Sequence, residues 1–307
     1  MAAYILAMCV ALLAVDGTAR GGEPPRFVIV TSRDDGPYEG VVSGVQGALR
    51  VQGKPALAVH SLSGEGEAAM RALRDARLKG KAPLITVGSN ATRAALDAPG
   101  KAPVIACMIV DADDIREAPD ATGVVLEFSL ETQLEWIRRF VPDSQAIGVL
   151  YNPEENAARI ADARKVAERL GFRLVAREIN RPQDLPGALD SLAREADLLL
   201  AVTDRMVLSR QTTQAILLFS FRNRMPFSGL SASWVKAGAL YALERDYEDM
   251  GAQCAEMAMD VANGRAPHSI RPVGPRKVVY AINARTAEQL KLRLAPDLID
   301  NAAEVYR

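Results

Sequence analysis

The chain of 307 residues carries 37 Lys and Arg against 38 Asp and Glu, a formal charge of -1, with 49% hydrophobic residues, three Cys and two His. That length accommodates two compact domains at roughly 100 to 200 residues each, and the even charge balance excludes a basic, nucleic-acid-coating protein, which needs clustered Lys and Arg to neutralise phosphates. With only His60 and His268 and no Cys pair at ligand spacing, a His/Cys zinc site has no raw material, and no metal or cofactor is expected.

The first residues form an uncharged apolar run from Ala2 to Val15 followed by small residues ending at Ala19. The run is shorter than the about 20 apolar residues a bilayer span requires, and it suits the core of a secretory signal at residues 1–19, cleaved after Ala19. Arg20 to Pro25 then reads as a polar spacer. The alternatives are a start upstream, because no Lys or Arg precedes the run, or a buried helix. Cys9 follows Met8 rather than a small residue and has no full apolar run ahead of it, so it does not read as a lipoprotein site. Once the signal is removed, Cys107 and Cys254 remain. Cys107 ends an apolar run, and Cys254 lies on a helical stripe with Met250, Met257 and Val261. Both read as small core hydrophobes rather than as a disulfide or as nucleophiles.

From residue 26 onward, short apolar runs alternate with helical segments: RFVIVTS, PALAVHSL, PLITVGS, APVIACMIV and GVVLEF, with helices beginning near Tyr38, Glu65 and Asn90. Strands without polar alternation, interleaved with amphipathic helices, are what a parallel sheet covered on both faces requires. The pattern then repeats. A helix from Ser129, its expected N-cap, precedes the strand AIGVLY; a helix from Glu154 to Leu170, stopped by Gly171, precedes FRLVAREI. Helices near 185–196 and 210–224 alternate with LLLAV and MPFSGL. ALYALER, a Met/Cys helix over 247–263, KVVYAIN and two helical segments over 284–292 and 296–306 complete the chain. The fold class is therefore α/β, with two doubly wound, Rossmann-like lobes joined by hinge crossovers. The absence of a Pro-, Gly- or Ser-rich linker argues for short hinge strands.

Catalytic signatures are missing. Gly40, Gly44 and Gly47 sit inside a helical segment, so a dinucleotide-binding fingerprint fails on context, and there is no Walker A sequence, G-x-S-x-G or H-E-x-x-H. Asp111, Asp113 and Asp114 follow a strand and suit either a cation site or a solvated helix start. In open α/β sheets, ligands sit beyond the carboxyl ends of the strands, where helix N-termini favour anions. Four such turns carry polar side chains: Thr31-Ser32-Arg33, Gly88-Ser89-Asn90-Ala91, Tyr151 to Asn156, and Thr203-Asp204-Arg205. Ser89 and Asn90 can cap a helix and present N–H groups to a carboxylate; Asp204 suits an ammonium or hydroxyl; Tyr151 offers a flat apolar face with a polar tip. Each residue also reads as an ordinary N-cap or turn residue. Trp234 suits a ligand wall or hinge-side core equally.

PLITVGSNATRAAL, FVPDSQAIGVLYNPEEN, AVTDRMVLSRQTTQAIL with RMPFSG, and the stretch from KAGALYALERDYEDMG through VVYAINARTAEQL form an ordered series. It resembles the bacterial ABC-transporter substrate-binding proteins that include the tryptophan and tyrosine uptake receptors. The resemblance implies a type I periplasmic binding protein fold, with one lobe over 24–128 plus 246–274 and the other over 129–245 plus 275–307. It implies first-lobe ligand contacts at Ser89, Asn90 and Ala91, and second-lobe contacts at Tyr151, Asn152, Asn156 and Asp204. Ser32, Asp111, Ser231 and Trp234 complete the candidate set. Two departures fall at the pocket: Ser-Asn replaces the family's Thr and neutral residue, and Val-Asp-Ala-Asp at 110–113 replaces an Asp-Pro turn. The expected protein is a periplasmic, monomeric receptor that closes on a small polar solute, an amino acid or related carboxylate, and delivers it to an inner-membrane ABC permease. The alternatives are a two-lobed racemase or isomerase using Cys107 or a carboxylate, and the ligand-sensing domain of a signalling system.

Overall fold

A computed structural model describes residues 27–53, 58–80, 82–110 and 112–307. The expected signal segment, its spacer and Asp111 lie outside the described residues. The chain begins with β1 (Val28–Thr31), α1 (Pro37–Val51), β2 (Ala58–Ser61), α2 (Gly66–Lys79), β3 (Leu84–Val87), α3 (Ser89–Asp97), β4 (Val104–Ile109), α4 (Asp113–Arg116) and β5 (Ala121–Val125). These five strands form one parallel sheet in the order β2-β1-β3-β4-β5.

Successive residues of a strand face opposite sides of its sheet, and both faces of β3 and β4 are buried. Ile29, Ile85, Ile105 and Cys107 pack in one cluster with Val41, Val45 and Leu49 of α1. Val30, Leu84, Val104 and Ile109 pack in another with Leu73 of α2 and Ala91 and Ala95 of α3. This arrangement explains the unbroken apolar runs, because neither face is left for polar alternation.

The second half contains α5 (Leu130–Phe140), β6 (Ala146–Tyr151), α6 (Pro153–Arg169), β7 (Arg173–Glu178), α7 (Leu185–Glu195), β8 (Leu198–Leu200), α8 (Arg210–Asn223), β9 (Phe227–Gly229), α9 (Ala232–Lys236) and β10 (Tyr241–Arg245). Ser129 caps α5 by accepting the Thr132 amide at 3.1 Å, and Gly171 takes the left-handed conformation (φ 77°) that ends α6. After β10 the chain enters α10 (Tyr247–Ala262), which packs on α1 of the first lobe, and then returns as β11 (Val278–Asn283), α11 (Ala284–Gln289), α12 (Pro296–Asp300) and β12 (Glu304–Tyr306). The seven strands run in the order β12-β11-β10-β9-β8-β6-β7, parallel except that β11 is antiparallel to β10.

Two sequence expectations are corrected here. The last segment is not helical throughout: α12 stops at Asp300, and Glu304–Tyr306, with β-branched Val305 and aromatic Tyr306, adds a parallel edge strand to β11. Cys107 and Cys254 are buried as expected but form a disulfide, with Cα atoms 6.1 Å apart across 147 residues of sequence. The stripe of α10 that carries Cys254 faces the β4 surface that carries Cys107, so the two apolar surfaces that bury the sulfurs also pair them.

The close fit of α10 explains Gly44, one of the glycines that matched no nucleotide motif. A Cβ at Gly44 would lie 1.9 Å from the Glu248 carbonyl oxygen, so the backbones of α1 and α10 touch only because that position has no side chain. The crossovers are tied locally. Arg245 donates through Nε to the Leu126 carbonyl at 2.6 Å, Arg276 donates to both Asp249 and Glu256, and Lys277 pairs with Asp246 at 2.5 Å. Hydrogen bonding to Lys277, with help from the Asp249 amide, holds the Asp246 carboxyl below the usual carboxylate range.

Candidate functional site

The carboxyl ends of both sheets present the polar turns singled out above, and the two lobes build theirs differently. In the first lobe, Gly88 ends β3 with φ 91° and opens α3. A side chain there would lie 2.7 Å from Ser32 Oγ and 2.8 Å from Tyr38 Cε1. The Gly88 amide donates to the Cys107 carbonyl at 2.8 Å, and the Ala91 amide donates to Ser32 Oγ at 2.9 Å. Ser32 therefore holds the turn from behind, and Ala91 is fully buried. The Ser89 hydroxyl accepts the Val110 amide at 3.4 Å, and Asn90 is exposed. The backbone amides of Ser89 and Asn90 have no partner among the described residues. Unpartnered N–H groups at the positive end of a helix dipole favour negative charge.

In the second lobe, the conspicuous polar residues bind one another. Asp204, 3% exposed, accepts four hydrogen bonds: the Asn152 amide at 2.6 Å and Asn156 Nδ2 at 2.9 Å on one oxygen, and the Met206 and Val207 amides at 3.0 and 2.9 Å on the other. Four donors fill the lone-pair sites of a carboxylate. Asn152 caps α6 by accepting the Glu154 amide at 2.8 Å, and Asn156 also donates to the Thr203 carbonyl at 3.1 Å. The arrangement fastens the loop after β8 to the start of α6. An ammonium on a ligand finds no open acceptor on Asp204.

Tyr151 lies on the face of β6 shared by Ile147 and Val149, in the core beneath α6, and its hydroxyl donates to Glu178 at 3.1 Å. Burial, then the hydrogen bond to Glu178, pushes its hydroxyl pKa up. Trp234, half-buried, packs against the core cluster of this lobe, its ring 5.8 Å from that of Phe227 between centroids. Ser231 starts α9 without capping it; Glu244 instead accepts the Ala232 amide at 2.5 Å, and Ser231 Oγ pairs with Ser233 at 2.8 Å. The structure thus brings Ser32, Ser89, Asn90 and Ala91 into one turn and Asn152, Asn156 and Asp204 into another. Tyr151, Ser231 and Trp234 belong to neither.

Sequence reasoning passed over Tyr38. This half-buried ring stands in the first turn of α1 against Gly88 and beside Ser32, and supplies an aromatic surface next to the free amides. Its signal was the Gly36-Pro37-Tyr38 helix start a few residues after an apolar strand. Among the described residues, no group of three or more His, Cys, Asp or Glu could hold a metal ion, and no helix is long and apolar enough to cross a membrane.

Residues 28–306 match the family model described as ABC transporter substrate binding protein. A tyrosine-binding protein of Clostridioides difficile (strain R20291) is 22% identical over 219 residues; the match covers 68% of this chain and 63% of that relative. Among solved structures, the ligand-free, open form of a substrate binding protein with adhesive properties from Clostridium difficile superposes with a TM-score of 0.70 at 18% identity, covering 92% of this chain and 99% of that one. An ABC domain in complex with L-Trp from Streptococcus pneumonia gives a TM-score of 0.53 at 17% identity, with 91% and 100% covered. At such identities the structural likeness speaks for the fold alone.

Proposed function

The chain belongs to the ABC transporter substrate binding protein family, and from that premise we propose that it is an exported receptor that captures an amino acid or related carboxylate between its lobes and delivers it to an inner-membrane ABC permease. The observation that carries this reading is the pair of amides at Ser89 and Asn90 that have no partner among the described residues. The solute's carboxylate takes these N–H groups and the dipole of α3, while the Tyr38 ring covers its apolar part. The curated relative is named for binding tyrosine, and one of the similar structures holds L-Trp, which agrees with a carboxylate next to an aromatic surface.

Binding closes the lobes because contacts from both sides exist only in the closed form. The second lobe contributes through the shape that Asp204, Asn152 and Asn156 impose on its turn, rather than through the Asp204 carboxylate. A receptor role, and not turnover, accounts for polar turns that carry no paired acid and base. The buried disulfide supports export, because such bonds persist in oxidising compartments such as the periplasm.

The test is thermal unfolding of the purified mature chain against amino acids, small carboxylates and nucleobases, with native mass spectrometry of any copurified solute. A ligand at 100 times its Kd stabilises the folded form by about 2.7 kcal/mol. A melting temperature unmoved across all three classes contradicts the reading.

A further inference from the structure

The Cys107–Cys254 disulfide lies closer to the proposed anion seat than its burial suggests. Cys107 is the last residue of β4 in regular register with β5; the register shifts between it and Ile109. Between them stands Met108 at φ 61°, a left-handed conformation rare for a residue with a side chain and retained only where the surroundings enforce it. On one side, the Cys107 sulfur is bonded to α10, the helix that follows β10 and is tied to the segment leading into β11 by Arg276 through Asp249 and Glu256. On the other side, the Cys107 carbonyl accepts the Gly88 amide at 2.8 Å. Beyond the bulge, the Val110 amide reaches Ser89 Oγ at 3.4 Å. One residue therefore joins the crossover helix, by a covalent bond, to the glycine that opens α3, by a hydrogen bond.

Resting on the reading of Ser89 and Asn90 as an anion seat, we propose that the disulfide is a positioning element for ligand binding. It fixes the Cys107 carbonyl and the Met108 bulge, and with them the placement of the two free amides relative to the crossovers about which the lobes close. This role differs from stabilisation alone. A cross-link over 147 residues restricts the unfolded chain and raises stability wherever it lies. A positioning role acts on one turn.

The experiment compares oxidised wild type with Cys107→Ala/Cys254→Ala. Amide hydrogen exchange is followed at the hydrogen-bonded Gly88 and Ala91 amides and at those of Asn152, Glu154 and Asn156, and affinity for L-tyrosine and L-tryptophan is measured by calorimetry. Positioning predicts exchange about tenfold faster at Gly88 and Ala91 with less than about a twofold change at Asn152, Glu154 and Asn156, and affinity about tenfold weaker. Equal acceleration in both turns, or an unchanged affinity, overturns the proposal. If the Ala pair does not fold, Cys107→Val with Cys254→Ala restores buried volume, and reduction of the folded wild type provides the same comparison without substitution. Oxidised wild type that binds neither amino acid counts against the functional reading, while the exchange comparison still decides the positioning role.

Discussion

The two polar turns at the carboxyl ends of the two sheets contain similar residue types arranged to opposite effect. Around α3, Ser32 and the Cys107 carbonyl occupy the Ala91 and Gly88 amides, and those of Ser89 and Asn90 have no partner among the described residues. Around α6, Asp204 gathers four donors, and its oxygens are spent inside the protein. A buried carboxylate near a cleft invites a ligand-binding role, yet a carboxylate whose lone pairs are all filled is a fastener. The useful question of a polar residue at a strand end is which of its hydrogen-bonding groups remain unused.

The contrast breaks most visibly at Asp204. Asp204→Ala strands buried donors of Asn152, Asn156, Met206 and Val207, and urea denaturation should show a loss of about 3 kcal/mol. A ligand-contacting Asp204 would instead lower affinity at unchanged stability. Gly88→Ala attacks the other turn: the left-handed φ and the 2.7 Å approach to Ser32 Oγ predict a loss of about 2 kcal/mol together with weakened ligand binding. Ser32→Ala removes the acceptor of the Ala91 amide and should cost about 1 kcal/mol, measured in the same urea titration.

The smallest effect sharpens the account of the helix that joins the lobes. Because the pair with Lys277 keeps the Asp246 carboxyl pKa below its unfolded value, the stability it contributes is present above the ordinary aspartate range. It disappears as pH falls through the lowered folded value. The difference in melting temperature between wild type and Asp246→Asn should therefore narrow from pH 7 to pH 3. A constant difference would assign the effect to packing.

Much of the architecture was legible because its determinants are local. Unbroken apolar runs such as Val104–Ile109 announce strands buried on both faces, and Ser129 and Gly171 mark helix ends through bonds that reach only a few residues. The remainder depended on contacts remote in sequence. Cys107 and Cys254 meet only because α10 returns to the first lobe after the chain has built five strands of the second sheet. Asp204 reads identically as ligand contact or fastener until the α6 turn is brought within 3 Å of it. Tyr38 becomes part of a site only when Gly88, fifty residues on, is brought against the edge of its ring. The terminal segment read as helix because Pro296 begins one, whereas its last residues are held by pairing with β11.

The central claim, that the open amides of the first lobe hold the solute while the Asp204 cluster only shapes its turn, is tested most directly by amide chemical shifts during titration with L-tyrosine. The account predicts that the Ser89 and Asn90 amide protons move downfield and farther than any amide from 152 to 156 or that of Val207, as expected for new hydrogen bonds to a carboxylate. Saturable binding with Ser89 and Asn90 unmoved and the largest shifts in the Asp204 cluster would contradict it.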